Sequence, residues 1–103
     1  MNQSDPEIGR RVRTGAFDTN VHDRGAGAPV VFIHGSGPGV SAWANWRGVL
    51  PVLSECFRVI APDMVGFGFT DRPAGMDYRR EVWVKQAIDL LDELGLERVD
   101  IVG

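Results

Sequence analysis

The sequence predicts an α/β protein whose sheet is mostly parallel, with an antiparallel start at its N-terminal end. Three observations carry this. Pro29-Val30-Val31-Phe32-Ile33 is an apolar, β-branched run, the composition of a strand buried on both faces. It passes directly into His34-Gly35-Ser36-Gly37-Pro38-Gly39, where three glycines and one proline in six residues require a tight turn. Beyond it, Trp43 and Trp46 stand at helical spacing. Strand, glycine-rich turn and helix in this order bring backbone N–H groups to the carboxyl end of a strand, where α/β sheets bind ligands.

The remaining elements follow in chain order. Residues 1–8 read as a loose polar lead-in. Two short strands, Arg11–Thr14 and Ala16–His22, are hinged at Gly15, and with no helix between them they suit antiparallel pairing. His22-Asp23 and the glycines at 25 and 27 supply a turn before the strand at 30–33. A helix starts near Ala42. Pro51 disfavours helical geometry at Leu50, which predicts a break or kink there and a short second turn to Ser54.

Phe57–Ala61 is a second buried strand, closed by Pro62 and Asp63, and Met64–Gly75 is loop. Asp77 is placed to cap the next helix and Gly95 to end it. Between them Val84, Ala87, Ile88 and Leu91 follow i, i+3, i+4, i+7, with Leu94 one turn on, which predicts a sheet-facing stripe. Arg98–Val102 opens another strand. Strands alternating with helices imply right-handed crossovers within a parallel sheet.

At 103 residues the chain forms one domain at most. With 44% hydrophobic and 24% charged residues it has the composition of an ordinary soluble protein. A net charge of -3 gives no attraction to nucleic acid or an anionic membrane. The lone Cys56 excludes an intrachain disulfide and a multi-cysteine metal centre, and it has no cationic cluster to activate it. Met1–Arg10 is polar, with Asp5 and Glu7, unlike a signal peptide, and no apolar run is long enough to span a bilayer. The expectation is a cytoplasmic protein.

The loop His34–Gly39 resembles the glycine-rich loop that supplies half of the oxyanion hole in α/β-hydrolases. The longer string His34 to Arg47, with Thr19-Asn20-Val21-His22-Asp23 and Ile60-Ala61-Pro62-Asp63-Met64-Val65-Gly66-Phe67-Gly68, resembles the meta-cleavage product hydrolases. The nearest branch is that of the 2-hydroxymuconic semialdehyde hydrolases. The resemblance implies the N-terminal half of an α/β-hydrolase fold and cofactor-free, metal-free hydrolysis of a carbon–carbon bond in 2-hydroxy-6-oxo-dienoates. It implies a small-molecule substrate and leaves room for a homo-oligomeric parent. By the same resemblance the Ser36 backbone N–H is an oxyanion-hole donor, Gly35, Ser36 and Gly37 line the substrate, and Asn45 hydrogen-bonds its dienoate end. The Ser36 hydroxyl is open to substrate contact or to a local backbone bond.

Other residues receive plainer readings. Trp43 and Trp46 are core or pocket wall, Arg47 is a solvated arginine and His34 holds the loop by hydrogen bonds. Asp63 stabilises the turn beside Gly66 and Gly68. Thr70 stands where the family's glycine turn often ends in serine.

The triad is what the sequence lacks. A nucleophile elbow needs glycine two residues to either side of a serine. Ser4, Ser36, Ser41 and Ser54 all fail this test. His22 and His34 precede the expected elbow, whereas the base of this fold follows it. The strand ending in Val102-Gly103 is the one that would feed the elbow. The expectation is that residues 1–103 form the N-terminal part of a single domain, stopping ahead of the nucleophile.

Two rivals remain. An esterase, epoxide hydrolase or dehalogenase on the same scaffold differs at the missing nucleophile. A dinucleotide-binding module would need its third glycine at position 40, which is Val40, and Pro38 removes a donor from the loop. The 103-residue chain alone is therefore expected to show no hydrolase activity. Turnover of a 2-hydroxymuconic semialdehyde analogue above the solvent rate would overturn this.

Overall fold

The backbone of the computed structural model, described for residues 5–103, carries one five-stranded mixed sheet. Its strands are β1 (Arg10–Thr14), β2 (Phe17–Arg24), β3 (Pro29–Phe32), β4 (Arg58–Pro62) and β5 (Asp100–Val102). They lie in the order β1-β2-β4-β3-β5. β1 pairs antiparallel with β2 and β2 with β4, whereas β3 runs parallel to both β4 and β5. The expected antiparallel start and parallel continuation are both present. Gly15, at φ 66°, takes the first central position of the two-residue turn between Thr14 and Phe17, where a β-branched or bulky residue would be strained.

Among the described residues three helices cover the sheet: α1 (Ala42–Trp46), α2 (Leu50–Leu53) and α3 (Arg80–Glu93). Strand alternation divides the interior into two cores. Val30 and Phe32 of β3, with Val59 and Ala61 of β4, pack with Ala42 and Leu50 of the α1–α2 segment. Val31 and Ile60, one residue out of step, pack with Val12, Val21 and Leu90 of α3. Both faces of β3 and β4 are thus buried, which is why these strands read as continuous apolar runs.

Four expectations about strands and helices need correction. The break in the first helical segment lies at 47–49 rather than at Leu50, which is helical, because Pro51 falls in the first turn of α2 where its missing N–H is harmless. The residue at the start of α3 is Arg79 with no side-chain cap, and Asp77 pairs with Arg79 instead. His22 and Asp23 lie inside β2, not in a turn. Asp23 receives the Arg58 guanidinium at 3.0 and 2.8 Å, tying β2 to β4. This bonding holds the Asp23 carboxyl below the usual aspartate range. Its contribution to stability is complete above that range and fades as pH falls through the lowered value.

The fourth correction concerns α3. Leu91 and Leu94 of the expected stripe do pack against the core, but Val84 and Ile88 are 51% and 52% exposed, while Gln86 and Leu90 are buried against the sheet. A glutamine stands inside the true stripe because its amide is fully used. Oε1 accepts the Val65 N–H at 2.8 Å, and Nε2 donates to Thr19 Oγ1 at 3.0 Å and to the Asp63 carbonyl at 3.1 Å. Gly95, at φ 71°, follows the end of α3 as expected.

The polar lead-in is described only from Asp5; residues 1–4, Ser4 among them, lie outside the described residues. The part described is tied down rather than loose. The Gly9 N–H donates to Asn20 Oδ1 at 2.8 Å, and Asn20 Nδ2 donates to the Glu7 carbonyl at 2.8 Å.

β5 stands at the sheet edge with Ile101 63% and Val102 41% exposed. An apolar open edge of this kind templates association. Produced by itself, the 103-residue chain is expected to self-associate, and Ile101→Lys is expected to shift it toward monomer in size-exclusion chromatography. A sharp monomer for the unmodified chain, with a cooperative melt, would contradict this.

Candidate active site at the carboxyl end of β3

The hydrogen bonding of β3 ends one residue beyond the strand, where the Ile33 N–H donates to the Val102 carbonyl at 2.8 Å. His34 then fixes the chain with both ring nitrogens. Nε2 accepts the Met64 N–H at 3.0 Å, so the proton sits on Nδ1, which donates to the Gly35 carbonyl at 2.5 Å. The loop after β3 is thereby bound to the loop after β4, and the His34 ring also meets the Phe67 ring edge-on at 5.0 Å. His34 holds the loop, as its sequence position suggested.

The Gly35 N–H donates to Asn45 Oδ1 at 3.0 Å. Both polar backbone atoms of Gly35 are therefore used within the protein. Ser36, Gly37, Pro38 and Gly39 are exposed. The Val40 N–H donates to the Gly37 carbonyl at 3.2 Å, with Pro38 second and Gly39, at φ 76°, third in the turn, the type II pattern. Among the described residues the Ser36 N–H donates to no protein acceptor.

A cavity of about 120 Å³ opens beside Ser36, lined by Ile33, His34, Gly35, Met64, Phe67 and Trp83. Its wall is largely apolar, and the Trp83 indole N–H is turned away to the Val65 carbonyl at 2.9 Å. A wider cleft of about 350 Å³ lies alongside, between Gly37–Ser41 and Gly66–Phe69, with Glu7 and Arg72 at its rim. An apolar hollow with a free N–H at its mouth suits an apolar substrate that develops one oxyanion.

The family model for the alpha/beta hydrolase fold matches residues 28–103. The chain belongs to the alpha/beta hydrolase fold family. It is 61% identical over all of its 103 residues to 2-hydroxy-6-oxo-2,4-heptadienoate hydrolase of Pseudomonas putida, covering 37% of that protein. It is 56% identical over 98% of its length to 2-hydroxymuconate semialdehyde hydrolase of a Pseudomonas species, covering 36% of it. A solved meta-cleavage product hydrolase from Pseudomonas fluorescens superposes with a TM-score of 0.93 at 55% identity, over 96% of this chain and 36% of that one. The chain thus spans little more than a third of the proteins it matches.

As an α/β-hydrolase half-sheet, the molecule supports its loop from below through Asp63, which is fully buried. Oδ1 accepts the Ala42 N–H at 2.7 Å, while Oδ2 accepts Asn20 Nδ2 and the Phe69 N–H, each at 2.9 Å. Its carbonyl accepts the Thr70 hydroxyl at 2.6 Å. Ser41 Oγ caps α1 by accepting the Ala44 N–H at 3.0 Å and donates to Glu7 Oε2 at 2.8 Å. The N-terminus of α1, and with it Asn45, is held by two acidic residues.

Of the residues singled out in sequence, Gly35, Ser36 and Gly37 lie on this loop, and Asn45 meets it from α1. Phe67, Met64 and Trp83 complete the hollow and gave no local signal. Trp46 packs on Phe32 at 5.0 Å and Trp43 stands 5.8 Å from His22, so neither lines the hollow beside Ser36. His22 is buried in β2 with Nε2 unpaired among the described residues, and burial pushes its imidazole below the ordinary histidine value. Arg47 and Cys56 are exposed. Among the described residues no three metal-ligating side chains gather, and no helix is long and apolar enough to cross a membrane.

Proposed function

We propose that residues 1–103 are the N-terminal part of a single α/β-hydrolase domain, stopping ahead of the nucleophile turn, and that the whole protein cleaves a carbon–carbon bond in 2-hydroxy-6-oxo-dienoates. The observation that carries this reading is the 61% identity, over the whole chain, with a 2-hydroxy-6-oxo-2,4-heptadienoate hydrolase. The free Ser36 N–H beside an apolar hollow supports it from the side of chemistry.

In this reading the dienol is first ketonised. The carbonyl at the other end is then attacked, by serine or by an activated water. Charge develops on the carbonyl oxygen and is met by the Ser36 N–H, with a second donor from the residue after the nucleophile. Collapse breaks the carbon–carbon bond, and water is consumed overall to yield a carboxylic acid and a 2-hydroxydienoate. The reaction needs no cofactor. Gly35, Ser36 and Gly37 form the substrate-facing surface of the loop, and Asn45 stands beside it. The reading takes a small-molecule substrate in a cytoplasmic enzyme and leaves room for a homo-oligomeric parent; a net charge of -3 gives residues 1–103 no attraction to nucleic acid.

Ser36→Pro in the whole protein removes this N–H and is expected to lower turnover by ~10²-fold or more. Ser36→Ala keeps the N–H and serves as its companion, losing only what the hydroxyl contributes. A Ser36→Pro enzyme with the parental rate would mean that the oxyanion is stabilised elsewhere.

A further inference from the structure

The bond between Asn45 and the loop backbone carries an inference beyond substrate contact. A neutral amide side chain can accept through Oδ1 or donate through Nδ2. Here the partner is the Gly35 N–H, a donor, which settles the orientation: the oxygen faces the loop at 3.0 Å. The Ser36 N–H shares its peptide plane with the Gly35 carbonyl, whereas the Gly35 N–H lies in the plane before it, so Asn45 acts on Ser36 by fixing the near side of the Gly35 backbone.

His34 and Asn45 divide the hold on Gly35 between them. His34 grips the Gly35 carbonyl from the side of β4, and the turn closed by Val40 begins only at Gly37. Asn45 is itself well anchored, since its N–H donates to the Ser41 carbonyl at 3.0 Å in a helix whose first turn is held by Ser41, Glu7 and Asp63. With the plane before Gly35 held by Asn45 and the plane after it by His34, the glycine has one backbone conformation and the Ser36 N–H one direction.

We propose that Asn45 is a positioning residue of the oxyanion loop, acting through its carbonyl oxygen on the Gly35 N–H to fix, together with His34 on the Gly35 carbonyl, the direction of the Ser36 N–H. This rests on the oxyanion reading of the loop and adds to it a residue that does not need to touch the substrate.

Positioning and substrate donation make opposite demands on an aspartate at this site. Asn45→Asp keeps an acceptor for the Gly35 N–H but turns the donor into a second acceptor. Asn45→Ala loses both. The test measures kcat and KM of both variants in the whole protein, with a 2-hydroxy-6-oxo-dienoate and with p-nitrophenyl acetate, a neutral ester that needs an oxyanion hole and nothing of a dienoate. Asn45→Ala is expected to lower kcat by about 10- to 100-fold on both substrates with little change in KM. Asn45→Asp is expected to recover most of that kcat, with any remaining loss appearing in KM for the dienoate.

An Asp variant as slow as the Ala variant on both substrates would overturn the proposal, as would an Ala variant impaired only in KM. If the parent protein hydrolyses the ester but not the dienoate, the substrate reading fails. The ester arm then still decides the role of Asn45. Asn45 is exposed, so loss of folding is not expected in either variant; should Asn45→Ala unfold, the Asp variant decides alone by its kcat on the ester.

Discussion

The structure depends on one buried carboxyl group. Asp63 directly follows β4 with no exposed surface, and its side chain accepts hydrogen bonds from three separate elements: α1, the loop after β4, and Asn20 of β2. None of these donors is a basic side chain. Burying such a group is costly unless every lone pair finds a partner, and here partners come from all sides. The arrangement excludes a side chain at Gly68, whose φ is 53° and where a Cβ would lie 2.1 Å from Asp63 Oδ2. Asn20, Thr70 and Gln86 extend the same network across both faces of the sheet.

The site inherits its order from this network. Asp63 and Ser41 hold the start of α1, α1 carries Asn45, Asn45 takes the Gly35 N–H, and His34 grips the other side of the same residue. Of the N–H groups left unbonded on the loop, that of Ser36 stands beside an apolar hollow walled by Met64, Phe67 and Trp83. A donor already aimed by its surroundings stabilises developing charge without reorganising, which is the physical value of building a loop so short and so tightly tied.

Much of the fold was legible because its signals are local. Buried parallel strands read as apolar runs at 30–33 and 57–61, and the glycines at 15 and 95 mark turns that need positive φ. The α3 register was not legible, because Gln86 occupies a core position that hydropathy assigns to an apolar residue. Val84 and Ile88 then extended wrongly a stripe whose Leu91 and Leu94 do pack on the core. At the site, the glycine loop and Ser36 were visible as a pattern. The bond from Asn45 to Gly35 was not, since it spans ten residues and depends on the exact register of α1. The Asp63 network joins residues more than forty positions apart, and no window along the chain contains it.

The central claim is that Asp63 holds the loop without touching it, and amide hydrogen exchange in an Asp63→Asn whole protein tests it most directly. The amide of asparagine cannot replace both acceptor oxygens, so exchange at Ala42 and Phe69, which donate to Asp63 directly, should quicken. The account predicts that Gly35, which shares no bond with Asp63, quickens with them while strands β3 and β4 stay protected. Gly35 protection equal to that of the parent, alongside lost protection at Ala42 and Phe69, would contradict it.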